Sequence, residues 1–444
     1  MNSISPIDGR YKDITSPLSS YFSEFSFFKY RLYIELQYFN HLIEILPELN
    51  IINNETVKIN ILNIWKNFNE THYNSIKEYE SVLQHDVKAL EYFIRDQFKI
   101  LNLEKYVSFI HFGLTSQDIN TSANMLSIKD AFFAQLLPTI NDMKLLIERI
   151  SKDMNHVMVA HTHGQPAVPT TMGKELYVFA YRLEEQLAAI MKIPFTTKFG
   201  GAVGNFNAHY AAYPNVNWNE FADNFVDSLV LKREKFTTQI SNYDHLCNLL
   251  NIMKTINNIV NDLNIDCWLY ISKGYLKLKT VSTEVGSSTM PQKVNPINFE
   301  NSEGNILLAN SLIEGITRKL SVSRLQRDLT DSTILRNIGS LFAYSFISYK
   351  STLKGLNKID ANTGLIQTEL DKNKVIIAEG IQTILRKYNV HDAYEQLHKL
   401  TRNSNFTDDK LNNFIKTLPI AIQNEMKLIK INNYIGSAGS FLNY

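Results

Sequence analysis

The sequence predicts an all-α fold: an elongated bundle of long helices in a central domain, flanked by smaller N- and C-terminal helical domains. Three observations predict it. Glycine and proline are scarce, 17 and 11 of 444 residues, and they cluster. Between the clusters, apolar residues recur at spacings of three and four. No segment alternates apolar and polar residues with hairpin turns between, so no substantial sheet is expected.

In chain order, residues 1–110 read as shorter helices rich in Tyr and Phe. Residues 111–355 carry the long helices. The segment from Thr121 to Met154 is helical in pattern, and Pro138 predicts a kink within it. Leu176, Phe179, Leu183, Leu187 and Ile190 form a stripe after the break at Pro169. The clearest stripe is Leu246, Leu249, Met253, Ile256, Val260, Leu263, Cys267 and Tyr270, which predicts one helix of about eight turns. Two more are Ile306, Ala309, Ile313, Ile316 and Leu320, then Leu335, Ile338, Phe342, Ser345 and Tyr349. Residues 356–444, with Lys- and Asn-rich breaks near 371 and 402, predict a helical cap. Helices this long pack side by side and leave apolar stripes that one chain does not cover, so a homo-oligomer is expected.

Composition narrows the function. A formal net charge of +1 gives no long-range attraction to nucleic acid or to an anionic membrane, so neither is an expected partner. No run approaches the roughly 18–20 apolar residues of a bilayer span. The N-terminal residues lack a signal-peptide pattern, and two cysteines, Cys247 and Cys267, exclude a disulfide framework. A cytoplasmic location is expected. Neither a Gly-x4-Gly-Lys, a Gly-x-Gly-x-x-Gly nor a His-Glu-x-x-His motif occurs, and no cofactor or metal is expected.

The least helix-like central stretch is Gly286-Ser-Ser-Thr-Met-Pro-Gln-Lys-Val-Asn-Pro296. By composition it is a lid, a ligand clamp or a plain connection. Its Ser287-Ser-x-Met-Pro-x-Lys293-x-Asn295 pattern resembles the shared loop of the fumarase/aspartase superfamily, whose members cleave C–N or C–O bonds and release fumarate. Ser5-Pro-Ile-Asp-Gly-Arg-Tyr11, Gln84-His-Asp-Val-Lys88, Gly200-Gly-Ala-Val-Gly-Asn205 and Ser323–Asn337 resemble the adenylosuccinate lyase family, most closely its bacterial form.

That resemblance implies elimination of fumarate from adenylosuccinate to give AMP, and from the succinylated carboxamide ribotide of the purine pathway. It assigns proton abstraction from carbon to Ser287. A neutral serine is a poor base, and nearby backbone N–H groups and Lys293 would stabilise its alkoxide. His163, in His161-Thr-His163-Gly-Gln-Pro166, is assigned protonation of the departing nitrogen, since imidazole titrates near neutrality. Lys293 and Asn295 would bind the substrate carboxylate, with Ser288 and Val294 beside them. Arg10 with Tyr11, and Ser332 with Arg336 four residues on, suit a phosphate, and Arg327 suits a carboxylate. His85 and Lys88, three apart, would share a helix face, flanked by Gln84 and Asp86. Thr115, Ser116, Thr162, Gln239, Asn301, Thr333, Ile334 and Leu335 complete the implied substrate contacts. Taken alone, each pair reads as a solvated helix surface.

Two positions depart from the family pattern. Gln292 stands where histidine is common, and His161 where arginine is common. Neither is assigned a proton transfer, so altered affinity or local polarity is the expected consequence, without loss of the chemistry. The family resemblance also implies a homotetramer with shared active sites. The competing readings are a sister lyase acting on argininosuccinate or aspartate, which would not need phosphate ligands, and a silent helical scaffold, which would not need Ser287 or His163.

Overall fold

The computed structural model describes residues 3–279, 290, 293–401 and 408–443. Ser287, Ser288 and Gln292 lie outside the described residues. Along the chain run α1 (Glu24–Ile45), α2 (Glu70–Leu83), α3 (Asp86–Ile100), α4 (Ser116–Ala131), α5 (Leu137–Asp153), α6 (Met172–Ile190), α7 (Asp244–Ser272), α8 (Ile297–Leu320), α9 (Thr330–Leu335) and α10 (Ile338–Leu356), with shorter helices between and after them.

Short polar residues start the helices that matter for the site. Ser23 Oγ accepts the Ser26 N–H at 3.1 Å ahead of α1, and Asn69 Oδ1 accepts the Thr71 and His72 N–H groups ahead of α2. Thr115 and Asp118 form a reciprocal capping box on α4. Where the sequence predicts a kink, Phe132–Leu136 form a π-turn and Pro138 follows as the second residue of α5. Proline gives no N–H and crowds the carbonyl four residues back, and the wider turn absorbs both defects.

The apolar stripes are the core. From Leu246 to Cys267 every stripe member of α7 is no more than 2% exposed. The α8 stripe, Ile306 to Leu320, is buried as well. The stripe of α10 differs from expectation at its start. Leu335 ends α9, the Asn337 N–H turns back to the Ile334 carbonyl at 3.0 Å, and the helix restarts at Ile338.

The chain divides into two compact units: residues 1–140, 186–258 and 304–350, and residues 141–185, 259–303 and 351–444. The divisions fall inside helices α5, α6, α7, α8 and α10, which is why no Pro/Gly/Ser linker marks them. Each unit carries its own buried polar layer. In the first, Asn257 Nδ2 donates to Asn310 Oδ1 at 2.9 Å and Ser345 Oγ at 3.2 Å, while Tyr349 donates to Asn257 Oδ1 at 2.6 Å. In the second, Asn264 Nδ2 donates to Ser302 Oγ and Asn264 Oδ1 accepts from Thr352, both at 2.9 Å. A layer of this kind satisfies its donors at one helix register, so a slipped register leaves buried polar groups unpaired. The second unit also holds a C-terminal core around Ile381, Leu385, Leu397, Ile422 and Met426.

Among the described residues, strands form three two-stranded pairs. They are antiparallel β1 (Val157–Thr162) with β2 (Gln165–Thr171), parallel β3 (Thr196–Lys198) with β4 (Lys232–Glu234), and antiparallel β5 (Leu276–Leu278) with β6 (Ile359–Ala361). The fold class is all-α, with these pairs as local fasteners.

Candidate active site

In the first unit, a cavity of about 650 Å³ gathers residues from around the start of α1 and from three later segments. The turn between α2 and α3 contributes Gln84, His85 and Asp86, the start of α4 contributes Ser116, and the segment around α9 contributes Arg327, Ser332, Leu335 and Arg336. All eight are site residues expected from the sequence.

The α2–α3 turn is made by its backbone. Gln84 adopts a left-handed conformation (φ 51°), ending α2, and His85 is the N-cap of α3. His85 Nδ1 accepts the Lys88 N–H at 3.2 Å. The neutral imidazole making that bond carries its proton on Nε2, leaving an N–H donor free to meet a ligand. The two residues expected to share a helix face differ in their partners. His85 precedes the helix, and the Lys88 ammonium binds Glu91 at 2.7 Å and is not among the cavity's lining residues.

Asp86 faces Arg31 Nη2 at 2.7 Å. Burial pushes the Asp86 carboxyl up, but the Arg31 charge and bond outweigh it and hold its pKa below the ordinary aspartate value. Arg327 Nη1 donates to Gln239 Oε1 at 2.8 Å, and Gln239 Nε2 donates to the Ala202 carbonyl at 2.9 Å. Ser332 Oγ accepts from Gln117 Nε2 at 2.9 Å and from Arg327 Nη2 at 3.4 Å. Gln239 therefore positions an arginine of the cavity without lining it.

Beneath the start of α4 lies a fully buried ion pair. Lys198 Nζ reaches Asp118 Oδ1 at 2.6 Å, and the same carboxylate accepts the N–H groups of Thr115 (2.8 Å), Gly200 (2.8 Å) and Gly201 (3.2 Å). The pair fastens Thr115 and Ser116 to the Gly200-Gly201 loop. Burial lowers the Lys198 amine pKa, with the Asp118 charge acting in the opposite direction.

Arg10 is exposed, Tyr11 is half-buried before a short helix at Lys12–Thr15, and neither lines the cavity. Thr333 is exposed and Ile334 half-buried on α9, and they too stand outside the lining.

In the second unit, His163 and Gly164 form the two-residue loop of the β1–β2 hairpin, with Thr162 opposite Gln165. Both loop residues have positive φ, 52° and 73°, the signature of a type I′ turn. Glycine fits the second place at no cost, whereas His163 adopts a conformation uncommon for its type. The imidazole is thus presented at an exposed hairpin tip beside exposed Thr162. His161, half-buried on β1, lies edge-to-face with Tyr275, ring centroids 6.0 Å apart. Burial and the Lys273 charge lower its pKa, while Glu369 acts against them. Lys293 and Val294 are exposed and Asn295 half-buried, just before α8, and Asn301 Nδ2 on α8 donates to Ser351 Oγ at 2.7 Å.

Arg31, Gln117 and Asn120 also line the cavity and were not singled out by sequence reasoning. Gln117 and Asn120 had a signal, since they follow Ser116 by one residue and by one helical turn. Asp118 had another, the Thr-x-x-Asp capping box. Arg31, 55 residues from its partner Asp86, had none.

Residues 9–308 match the model of a family described as lyase, and residues 323–435 match one described as adenylosuccinate lyase C-terminal. The chain is 47% identical to the adenylosuccinate lyase of Legionella pneumophila (strain Corby), over 97% of this chain and 95% of that one. It is 46% identical to that of Dictyostelium discoideum, over 99% and 98% of the two chains. For the Escherichia coli (strain K12) enzyme the identity is 39%, over 99% and 97%. Its fold is similar to that of a fumarate lyase from Mesorhizobium sp. BNC1, with a TM-score of 0.78 at 16% identity over 96% of each chain.

Proposed function

The chain belongs to the adenylosuccinate lyase family, and from that premise we infer that it is a C–N lyase that eliminates fumarate from adenylosuccinate to give AMP, and from the succinylaminoimidazole carboxamide ribotide of purine biosynthesis. Near-full-length identity of 39–47% to adenylosuccinate lyases carries this reading over a sister lyase or a silent scaffold.

The cavity of the first unit supports a phosphorylated substrate. Exposed Arg336 supplies charge to an anion, and Ser332 supplies a hydroxyl on the same helical turn. Arg327, held by Gln239, offers a guanidinium of fixed orientation. Asp86 and the Nε2 side of His85 add an acceptor and a donor. Arg10, Tyr11, Lys88, Thr115, Thr162, Lys293, Val294, Asn295, Asn301, Thr333 and Ile334 are retained in the proposed substrate set with Ser288.

In the proposed reaction, Ser287 as its alkoxide takes the proton from the carbon beside a carboxylate. Charge builds on that carboxylate, where Lys293 and Asn295 stabilise it. The electron pair forms the new double bond as the C–N bond breaks, and His163 protonates the leaving nitrogen. The hairpin tip supports this role, because a two-residue turn fixes the backbone of His163 while leaving its ring open to a ligand.

The working form we propose is a homotetramer with active sites shared between copies, located in the cytoplasm. Side chains left exposed on the long helices support an assembly: Trp268 and Leu269 on α7 (40% and 43%), Leu307 and Leu308 on α8 (59% and 50%). Both cysteines are free and buried, and no helix among the described residues is long and apolar enough to cross a membrane. We also keep the division into domains at about residues 110 and 355 as a proposal.

The test is turnover. Purified protein mixed with adenylosuccinate should change its ultraviolet absorbance and release fumarate stoichiometrically. Turnover of argininosuccinate instead would overturn the substrate. Ser287→Ala and His163→Ala should each cost about 10²–10⁴-fold in rate, and near-normal rates would remove that residue from its role.

A further inference from the structure

Arg31 is 4% exposed, and its guanidinium group is held at two nitrogens and over one ring. Nη2 donates to Asp86 Oδ2 at 2.7 Å, Nε donates to Asn120 Oδ1 at 2.8 Å, and the plane lies over the Phe27 ring at 3.9 Å. Asp86 opens α3, and Asn120 is one turn beyond Ser116 on α4. One side chain from α1 thus connects two helices whose first residues line the cavity. The second oxygen of Asp86 is held as well, by the Val87 N–H at 2.9 Å. Its side chain nevertheless remains 25% exposed, and the residue lines the cavity.

We propose that Arg31 is a positioning residue of the site: it orients the Asp86 carboxylate as a fixed, ionised acceptor for a hydroxyl or amine of the bound nucleotide. The inference rests on the reading of this cavity as the nucleotide site. An ionised carboxylate accepts hydrogen bonds at both oxygens, whereas a protonated one gives up an acceptor position to its own O–H. The charged and titratable groups lining the cavity around Asp86 are Arg31 and Glu24 from α1, Glu80 from α2, His85 at the start of α3, and Arg327 and Arg336 from the segment around α9. Burial favours protonation of Asp86, while Glu24 and Glu80 are both paired with Lys77, at 2.9 and 2.6 Å. Arg31 makes the direct ion pair that opposes burial. Lysine cannot replace it fully, because an ammonium is a point charge and lacks the planar fork that spans Asp86 and Asn120.

The test is the pH dependence of kcat/KM for Arg31→Gln, Arg31→Lys and the Arg31→Gln/Asp86→Asn pair, with folding and assembly checked by circular dichroism and sedimentation. Arg31→Gln should raise KM roughly ten- to hundredfold, the range of a lost charge-assisted contact, while kcat at high pH changes less. It should also move the acid limb of kcat/KM to higher pH, and that shift should vanish when Asp86 is already Asn. Arg31→Lys should keep the acid limb near its original place while KM stays raised. If Arg31→Gln does not fold, the lysine variant decides: a wild-type KM there overturns the proposal. An assembled Arg31→Gln protein with wild-type KM and pH profile overturns it too, showing a bond that serves stability alone. Absence of turnover by the wild type on both succinylated nucleotides would instead fail the reading of the site itself.

Discussion

The buried pair beneath α4 allows a prediction in which the charges are separated from the backbone they hold. Lys198→Met removes the cation and leaves Asp118 with the Thr115, Gly200 and Gly201 N–H groups as partners. Breaking a buried ion pair from one side costs about 3–5 kcal/mol, and the three remaining bonds place this variant near 3. Asp118→Ala does more. It leaves the Lys198 ammonium with the Gly201 carbonyl at 2.6 Å as its remaining hydrogen-bond partner, and deprives the three N–H groups of their acceptor. Orphaned buried groups cost about 1–3 kcal/mol each, so the loss should exceed about 5 kcal/mol. A compact unit of this size loses about 2–4 °C of Tm per kcal/mol, so Lys198→Met should melt about 6–12 °C early and Asp118→Ala considerably more. Scanning calorimetry on the assembled protein at one concentration reads the difference. Equal losses from the two substitutions would refute the reasoning, because the carboxylate's hold on the backbone would then contribute nothing beyond the ion pair.

Other consequences follow from the same packing. Tyr38 donates its hydroxyl proton to the Phe112 carbonyl at 2.8 Å, so its oxygen accepts from His209 Nε2 at 2.9 Å, which leaves buried Nδ1 bare. Burial lowers the His209 pKa to about 4, against about 6.5 unfolded. The unfolded chain therefore takes up this proton first, and the stability contribution, complete above about pH 6.5, should fall by roughly 3 kcal/mol as the pH drops through 4. His209→Phe should flatten the acid side of a stability–pH curve, and an unchanged slope would remove His209 as its source. Gly113 and Gly164 both have positive φ, 68° and 73°, but an added Cβ meets His209 at 2.6 Å in the first and nothing within 4 Å in the second. Gly113→Ala should thus destabilise the protein severely, while Gly164→Ala costs about 1–2 kcal/mol of backbone strain and acts chiefly on kcat through the His163 turn. Arg327→Lys loses the forked contact to Gln239 and Ser332 and should raise KM about tenfold with little change in Tm; an equal effect from a distant surface arginine would argue against it.

How much of this was legible depends on the range of the cause. The stripe from Leu246 to Cys267 is a three-and-four spacing written into consecutive turns, and its burial follows from one helix having one inward face. Pro138 likewise marks the π-turn at Phe132–Leu136, because the missing N–H is local. The His163-Gly164 turn was less visible. Its two positive φ values need a hairpin, and flanking segments that alternate poorly gave no sign of strands. Ser332 and Arg336 could be paired by helical spacing, but their grouping with Gln84, His85 and Asp86 could not be derived from spacing at all.

Some features of this protein are therefore properties of the chain itself. Its helices and their apolar faces are fixed by neighbours within a few turns, and its lack of a strong net charge and the residue types available for acid–base chemistry follow from composition. Folding decides which distant side chains become partners: Arg31 with Asp86, Lys198 with Asp118, Arg327 with Gln239. Each pair joins segments 55 to 88 residues apart. Such contacts are selected by the packing of whole helices, because a buried charge is tolerated where an opposite charge or hydrogen-bond partner meets it, and no local pattern specifies which helix will supply one.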